Sequence, residues 1–280
     1  MRKHLAFTSI LAVIVLLIAA GCGPTDTPAS TQSAGDNPPS TEEPTAEATE
    51  SSSDTLAETP ETMTVSSGIQ LDPALAADLG SSAEDALLVD GYIYEGLTAL
   101  DGSDPVPALA VDWTVSDDGL DYLFDLRSGV TFQDGTPFDA DAVVANFNRW
   151  FSPVSALRGD GSYQAWVDAF AGFEGEVDSE GQPVSSVDGI EKVDNLTVLV
   201  HLNRPDPDLP AKLAQGDFAM VSPTALAANM GSYGTSAAAD AIAGTGPYTV
   251  ASWTDSSLVL DPYPDYWGTP PDASLEFTLE

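Results

Sequence analysis

The chain has 280 residues, 43% of them hydrophobic, enough to bury the core of one large or two ordinary domains. Asp and Glu number 44 against 8 Lys and Arg, a formal charge of −36 that argues against nucleic acid and anionic membrane surfaces as partners. Cys22 is the only cysteine, so the folded part must rely on its core rather than on a disulfide.

Arg2, Lys3 and His4 precede an apolar run, Leu5 to Ala20, broken only by Thr8 and Ser9. Ala19-Ala20-Gly21 then puts small residues directly before Cys22. This is the pattern of a secretory signal peptide over residues 1–21, and Cys22 at the cleavage point resembles the lipidated cysteine of a lipobox. Ala19 stands where a lipobox usually carries Leu. The apolar run is shorter than the roughly 20 residues of a spanning helix, which argues against an uncleaved anchor. Cleavage would remove Arg2 and Lys3 and leave 6 basic residues. Residues 22–62 read as the lipidated cysteine and an acidic Ser/Thr/Pro linker, because Gly23 to Glu61 holds no Lys, Arg or aromatic residue. Such a stretch cannot bury enough apolar surface to offset the entropy of ordering. It is expected to be a disordered tether with a root-mean-square span of about 35 Å.

From Met63 the texture changes, and residues 63–280 are expected to fold. Met63 to Leu71 reads as a strand, Asp72-Pro73 as a turn and Glu84 to Leu97 as a helix. From Pro107 to Phe132, aromatic and aliphatic residues alternate with polar ones on both sides of Asp117-Asp118-Gly119, the pattern of a hairpin with one buried face. Gln133-Asp134-Gly135 marks a second turn. Asp139 is a helix N-cap with Asp141 in the first turn, and Val143, Phe147 and Trp150 fall on one side of the helix that follows. Ser152 to Pro183 is looser and Gly-rich, with aromatics at Tyr163, Trp166, Phe170 and Phe173. Ile190 to Val193 and Thr197 to Leu202 flank Asp194-Asn195 as a second hairpin. Asp208 to Ala214 is a short helix, Phe218 to Val221 a strand, and Ser222-Pro223 opens another helix. The glycine-rich turn Gly244 to Tyr248 feeds a strand, Tyr248 to Trp253. Ser257 to Leu260 alternates again, Asp265 to Gly268 is a turn, and Leu275 to Glu280 is a strand with no evident partner.

Most catalytic signatures are missing. After cleavage His201 is the remaining histidine, no HExxH or CxxC spacing occurs, and no cofactor or metal is expected. There is no G-x-S-x-G elbow and no Walker A lysine. Gly244-x-Gly246 precedes a strand, unlike a dinucleotide fingerprint. A hydrolase built on two carboxylates stays open, because its acids need no fixed spacing.

Leu71-Asp72-Pro73, Tyr94-Glu95-Gly96-Leu97, Pro107-Ala-Leu-Ala110 with Trp113, Asp118-Gly119 through Asp141-Ala-Val143, Gly244-Thr-Gly-Pro-Tyr248 and Pro264-Asp-Tyr-Trp-Gly268 follow in order. The ordered set resembles the family 5 solute-binding proteins of ABC transporters, the peptide- and nickel-binding group. The resemblance implies an α/β, periplasmic-binding-protein-like fold of type II, in the large peptide-binding subclass, with mixed sheets and flanking helices. Members resemble a two-lobed clam that encloses ligand and are usually near twice this length. Residues 63–280 then look like most of lobe I, with lobe II missing.

The function implied is capture of a peptide or similar small solute outside the cytoplasm and delivery to ABC permease subunits. The protein would be a monomer, held to the membrane by lipid on Cys22. A secreted carboxylate-dependent hydrolase and a ligand-sensing lipoprotein are the other readings. Within the resemblance, ligand contacts are expected from Ile69 and Gln70 before Leu71-Asp72-Pro73, from Tyr163 and Trp166, and from Thr245 and Gly246. Trp113, Tyr122, Phe124, Leu126, Val130 and Phe132 are expected in the core. Glu95 reads as a structural anchor, and Arg127 as a tie from the hairpin to a nearby acid or carbonyl.

Overall fold

A computed structural model describes residues 62–280. The expected signal peptide, Cys22 and the linker up to residue 61 lie outside the described residues. Thr62, expected as the last linker residue, opens strand β1 (Thr62–Val65).

That strand is shorter than Met63 to Leu71, because Ser66 turns away and donates its amide and hydroxyl to the Asp85 carboxylate. The chain then runs through a 3₁₀ segment, Pro73–Ser82, with Asp72 at its N-cap, into helix α1 (Ala83–Ile93). The helix stops four residues before the expected Leu97. Tyr94 is extended, and Gly96 passes so close to the Leu213 carbonyl that a Cβ would sit 2.9 Å from its oxygen.

Strands β2 (Thr98–Asp101) and β3 (Asp104–Pro107) form a small hairpin that periodicity does not announce. Strands β4 (Ala110–Val115) and β5 (Asp121–Leu126) make the expected hairpin, with Trp113 opposite Phe124 and Val115 opposite Tyr122. Helix α2 (Ala140–Phe151) starts where its cap predicts, the Asp139 side chain accepting from the Ala142 amide. The looser stretch contains a helix, α3 (Gln164–Phe170). Strands β6 (Val187–Asp194) and β7 (Thr197–Leu202) form the second hairpin. Helices α4 (Leu209–Lys212) and α5 (Pro223–Ala228) follow, then strands β8 (Tyr248–Trp253), β9 (Ser257–Pro262) and β10 (Leu275–Leu279).

Two readings need correction. Phe218 to Val221 is no strand: Gly216–Phe218 is one 3₁₀ turn, and the next residues are extended outside any ladder. Their backbone groups bond singly, Met220 N to Glu95 O, Ser222 N to Ala243 O, and Val221 through both its groups to the Asn146 side chain. A buried apolar run has the composition of a core strand whether or not it pairs. Leu275 to Leu279 does have partners, since β10 lies between β9 (antiparallel) and β1 (parallel).

The sheets run β1-β10-β9-β8 and β4-β5-β7-β6, beside the separate β2-β3 hairpin. Helices flank them, as the α/β expectation requires. Two cores result. In one, α2 and α3 cover the β4–β7 sheet, with Tyr122, Phe124 and Leu126 alternating inward against Val198, Val200 and Leu202. Its aromatic centre joins Phe147, Trp150, Trp166, Phe170 and Phe218, with ring centroids 4.4 Å apart for Trp166–Phe170 and 5.4 Å for Trp150–Phe218. In the other, α1 and α5 pack with the β1–β10 sheet through Val89, Ile93, Leu226, Leu258, Leu260 and Phe277.

Candidate functional site

The Leu71-Asp72-Pro73 segment ends in a buried ion pair. Asp72 and Arg149 are each only 2% exposed. Arg149 donates Nη1 to Asp72 Oδ1 at 2.9 Å and Nη2 to Oδ2 at 2.6 Å, and Nε to the Leu157 carbonyl at 3.0 Å. Burial opposes the guanidinium charge, but the Asp72 charge and hydrogen bonds outweigh it and hold the Arg149 pKa above its ordinary value. The pair fixes the first 3₁₀ turn to α2 and to the loop after it.

A polar relay continues from there. The Ala243 amide donates to the Tyr233 hydroxyl (3.2 Å), which lies 3.0 Å from the Tyr94 hydroxyl, and Tyr94 donates to the Leu71 carbonyl at 2.9 Å. With Tyr94 donating to the carbonyl, Tyr233 is left as the donor between the two phenols. Burial is the leading cause of the raised pKa of both. Gln70 Nε2 donates to the Tyr233 carbonyl, and Leu71 N to the Gly234 carbonyl. Gly234 has φ 78°, and a Cβ there would meet the Asp72 side chain at 2.9 Å, so the approach requires glycine.

Between these segments lies a hollow of about 430 Å³, lined in part by Gln70, Asp72, Arg149, Arg158, Asp160 and Tyr233. Its outer wall is the loop 157–161, held from behind. Asp78 accepts hydrogen bonds from Ser162 N (2.8 Å), Ser162 Oγ (2.6 Å), Tyr163 N (3.2 Å) and Gln164 N (3.1 Å). Burial pushes the Asp78 pKa up, but these bonds together hold it below the ordinary value. They also offset the left-handed backbone of Tyr163, φ 55°, a conformation that costs a non-glycine residue about 1–3 kcal/mol.

The six residues expected to touch ligand do not converge. Gln70 lines the hollow. Tyr163 is buried behind the loop, with its hydroxyl donating to the Arg158 carbonyl. Trp166 belongs to the aromatic core, its indole N–H given to the Gly172 carbonyl at 2.9 Å. Ile69 is buried and borders a separate hollow of about 370 Å³ with Trp253 and Leu279. Thr245 is fully buried, and its hydroxyl donates to Glu95. Gly246 lies against Ile93, where a Cβ would be 2.7 Å from the carbonyl.

Glu95 is an anchor in the literal sense. It accepts from Thr245 Oγ1 (2.9 Å), Tyr266 Oη (2.8 Å) and Trp267 Nε1 (2.7 Å), and burial is the leading cause of its raised pKa. Arg127 sits 4.3 Å from the Trp267 ring centroid and donates Nε to the Ala108 carbonyl. Asp78, Arg149, Arg158 and Tyr233 carry no site signal in the sequence, and Asp72 is legible there only as a turn and motif residue. One signal could have found the two arginines: basic residues are so scarce in this chain that each is worth placing.

The family described as bacterial extracellular solute-binding proteins, family 5 Middle, matches residues 104–276, more than half of the chain. A glutathione-binding protein GsiB of Salmonella paratyphi A is 35% identical over 199 residues, covering 70% of this chain and 33% of the relative. The GsiB of Escherichia coli O157:H7 is 33% identical over the same coverage. The chain spans about a third of the length of these curated relatives. Among solved structures, the periplasmic binding protein DppA of Helicobacter pylori, in complex with the peptide STSA, superposes with a TM-score of 0.62 at 25% identity, over 78% of this chain and 42% of that one. A dipeptide-binding protein from Pseudoalteromonas sp. SM9913, in complex with Met-Leu, has the same fold, with a TM-score of 0.63 at 21% identity over 79% and 43%.

Proposed function

Because this chain belongs to the family 5 extracellular solute-binding proteins of ABC transporters, we propose that it captures a peptide or peptide-like solute outside the cytoplasm and hands it to an ABC permease. The observation that carries the reading is the family match over 104–276, joined by a hollow of mixed polar and apolar lining at the segment where Leu71-Asp72-Pro73 meets α2. Peptide is favoured as the ligand class because the GsiB relatives are named for glutathione and the Helicobacter pylori DppA structure is a complex with a peptide. Residues 63–280 supply one lobe of the binding cleft, with Gln70 at its surface and Tyr163 and Trp166 supporting the wall behind. Glu95, Thr245 and Gly246 hold the glycine-rich turn Gly244 to Tyr248. Lipid on Cys22 and the linker after it would tether the domain to the membrane.

Capture of this kind needs no bond making: affinity comes from burial and backbone hydrogen bonds on closure. Equilibrium binding of glutathione and of di- and tripeptides to the full-length protein tests the reading, with mass spectrometry of the recovered ligand. Saturable binding with the ligand returned intact is expected. Turnover of the ligand, or no binding to any of them, would overturn it. Cys22→Ala is expected to release the protein from membranes; unchanged membrane association would remove the lipid tether.

A further inference from the structure

Two arginines line the hollow, and they are in different electrostatic states. Arg149 is neutralised by Asp72. Arg158 has no carboxylate within ion-pairing distance among the described residues. Instead its Nη1 donates to the Arg149 and Trp150 carbonyls, at 3.1 and 2.7 Å, at the C-terminal end of α2, where a cation is favoured by the helix dipole. Its guanidinium carbon lies 4.1 Å from the Tyr163 ring centroid and 4.2 Å from that of Phe173. The side chain is therefore clamped through one nitrogen and by two aromatic rings.

What the clamp leaves over is specific. Nε and Nη2 have no hydrogen-bond partner among the described residues, and their N–H groups are the parallel pair on one edge of the guanidinium plane. That edge matches the two oxygens of a carboxylate. Asp78 and Glu176 exert their charge on the Arg158 guanidinium from beyond ion-pairing distance, so among the described residues this edge, on the wall of a hollow, carries no carboxylate of the fold. Asp160, two residues on, also lines the hollow and opposes a polyanion there, while favouring an ammonium group beside the carboxylate. Gln70 has committed Nε2 to Tyr233, leaving Oε1 as an acceptor for a ligand N–H.

We propose that Arg158 docks the free carboxylate of a zwitterionic ligand, such as the carboxyl end of a small peptide, through its Nε and Nη2 edge. This rests on the reading that peptide-like solutes bind in this hollow, and it adds which chemical end lies where.

The test compares ligands first and variants second. Glutathione and tri-alanine are each titrated against their carboxyl-amidated forms, using the full-length protein and its Arg158→Gln and Arg158→Lys variants. The wild type is expected to prefer each free acid by about tenfold or more, the size of one lost charge-assisted pair. Arg158→Gln should bind acid and amide alike while still binding, and Arg158→Lys, which keeps the charge without the fork, should recover only part of the preference. Equal binding of acid and amide by the wild type overturns the assignment while leaving peptide capture intact. So does an acid preference that survives in Arg158→Gln, or equal displacement of both forms by inorganic phosphate. Absence of binding by any form overturns both. The wild-type comparison needs no variant to fold.

Discussion

The Asp90 carboxyl, on α1, is buried within the field of Asp217, and among the described residues neither oxygen of Asp90 nor Oδ1 of Asp217 has a hydrogen-bond partner. Burial first, then the charges of Asp72 and Asp217, pushes the Asp90 pKa well above the carboxylate range, and burial leads the same rise at Asp217. A raised acid binds its proton more tightly in the folded state than in the unfolded one. Stability is therefore full below the ordinary aspartate value and falls as pH rises toward the folded pKa, by up to about 1.4 kcal/mol per pH unit for one group. Asp90→Asn is expected to flatten that slope. Urea midpoints at pH 5 and pH 8 check it: a variant with the wild-type slope would show that Asp90 is not the group responsible.

The Asp72–Arg149 pair predicts a different outcome. Arg149→Met leaves a buried carboxylate unpaired and is expected to cost about 3–5 kcal/mol. Asp72→Asn combined with Arg149→Met should recover part of that loss, because no uncompensated charge remains. Denaturant unfolding of the two single variants and the double variant checks the coupling; strict additivity would contradict it.

Asp78→Asn should loosen the wall of the hollow. The carboxylate accepts from three consecutive amides, at Ser162, Tyr163 and Gln164, as well as from the Ser162 hydroxyl. One amide oxygen cannot serve them all, and a loss of about 1 kcal/mol is expected, the size of a lost helix cap. Faster hydrogen exchange at those three amides, with the β5 and β7 amides unchanged, is the signature. Since the Asp78 pKa is lowered in the fold, the wild type should show the same loosening as pH falls through that lowered value.

Salt should stabilise this protein. Each Lys and Arg among the described residues is committed within the fold: Arg149, Lys192 and Lys212 to acids, and Arg127, Arg158 and Arg204 to backbone carbonyls. Most of the 44 acids therefore repel one another without a counter-charge. Raising ionic strength from 0.1 to 1 M shortens the screening length from about 10 Å to about 3 Å. A gain of about 1 kcal/mol, or about 2–4 °C in Tm, is expected for a domain of this size. A Tm indifferent to NaCl and KCl would contradict it.

The legible parts of the fold share one property. The β4–β5 hairpin was readable because alternation and the Asp117-Asp118-Gly119 turn sit in adjacent residues, and Asp139 announced α2 by a cap three residues long. Phe218 to Val221 misled for the converse reason: its apolar run is set by burial between two cores, with Asn146 rather than a strand serving Val221. Of the residues that the family resemblance put forward for the site, Gln70 borders the hollow. Trp166 and Thr245 looked available only because their partners, Phe170 and Glu95, could be placed nowhere until the chain was folded.

By itself the sequence determined the elements marked by alternation, turns or caps, the family resemblance and the scarcity of positive charge, since each depends on neighbours in the chain or on composition. The tertiary structure decided which side chains meet. Asp72 reaches Arg149 across 77 residues, Glu95 reaches Trp267 across 172, and Arg158 is left with one free edge because α2 ends where it does. Pairings of that range follow from packing, and neither the spacing nor the chemistry of the single residues encodes them.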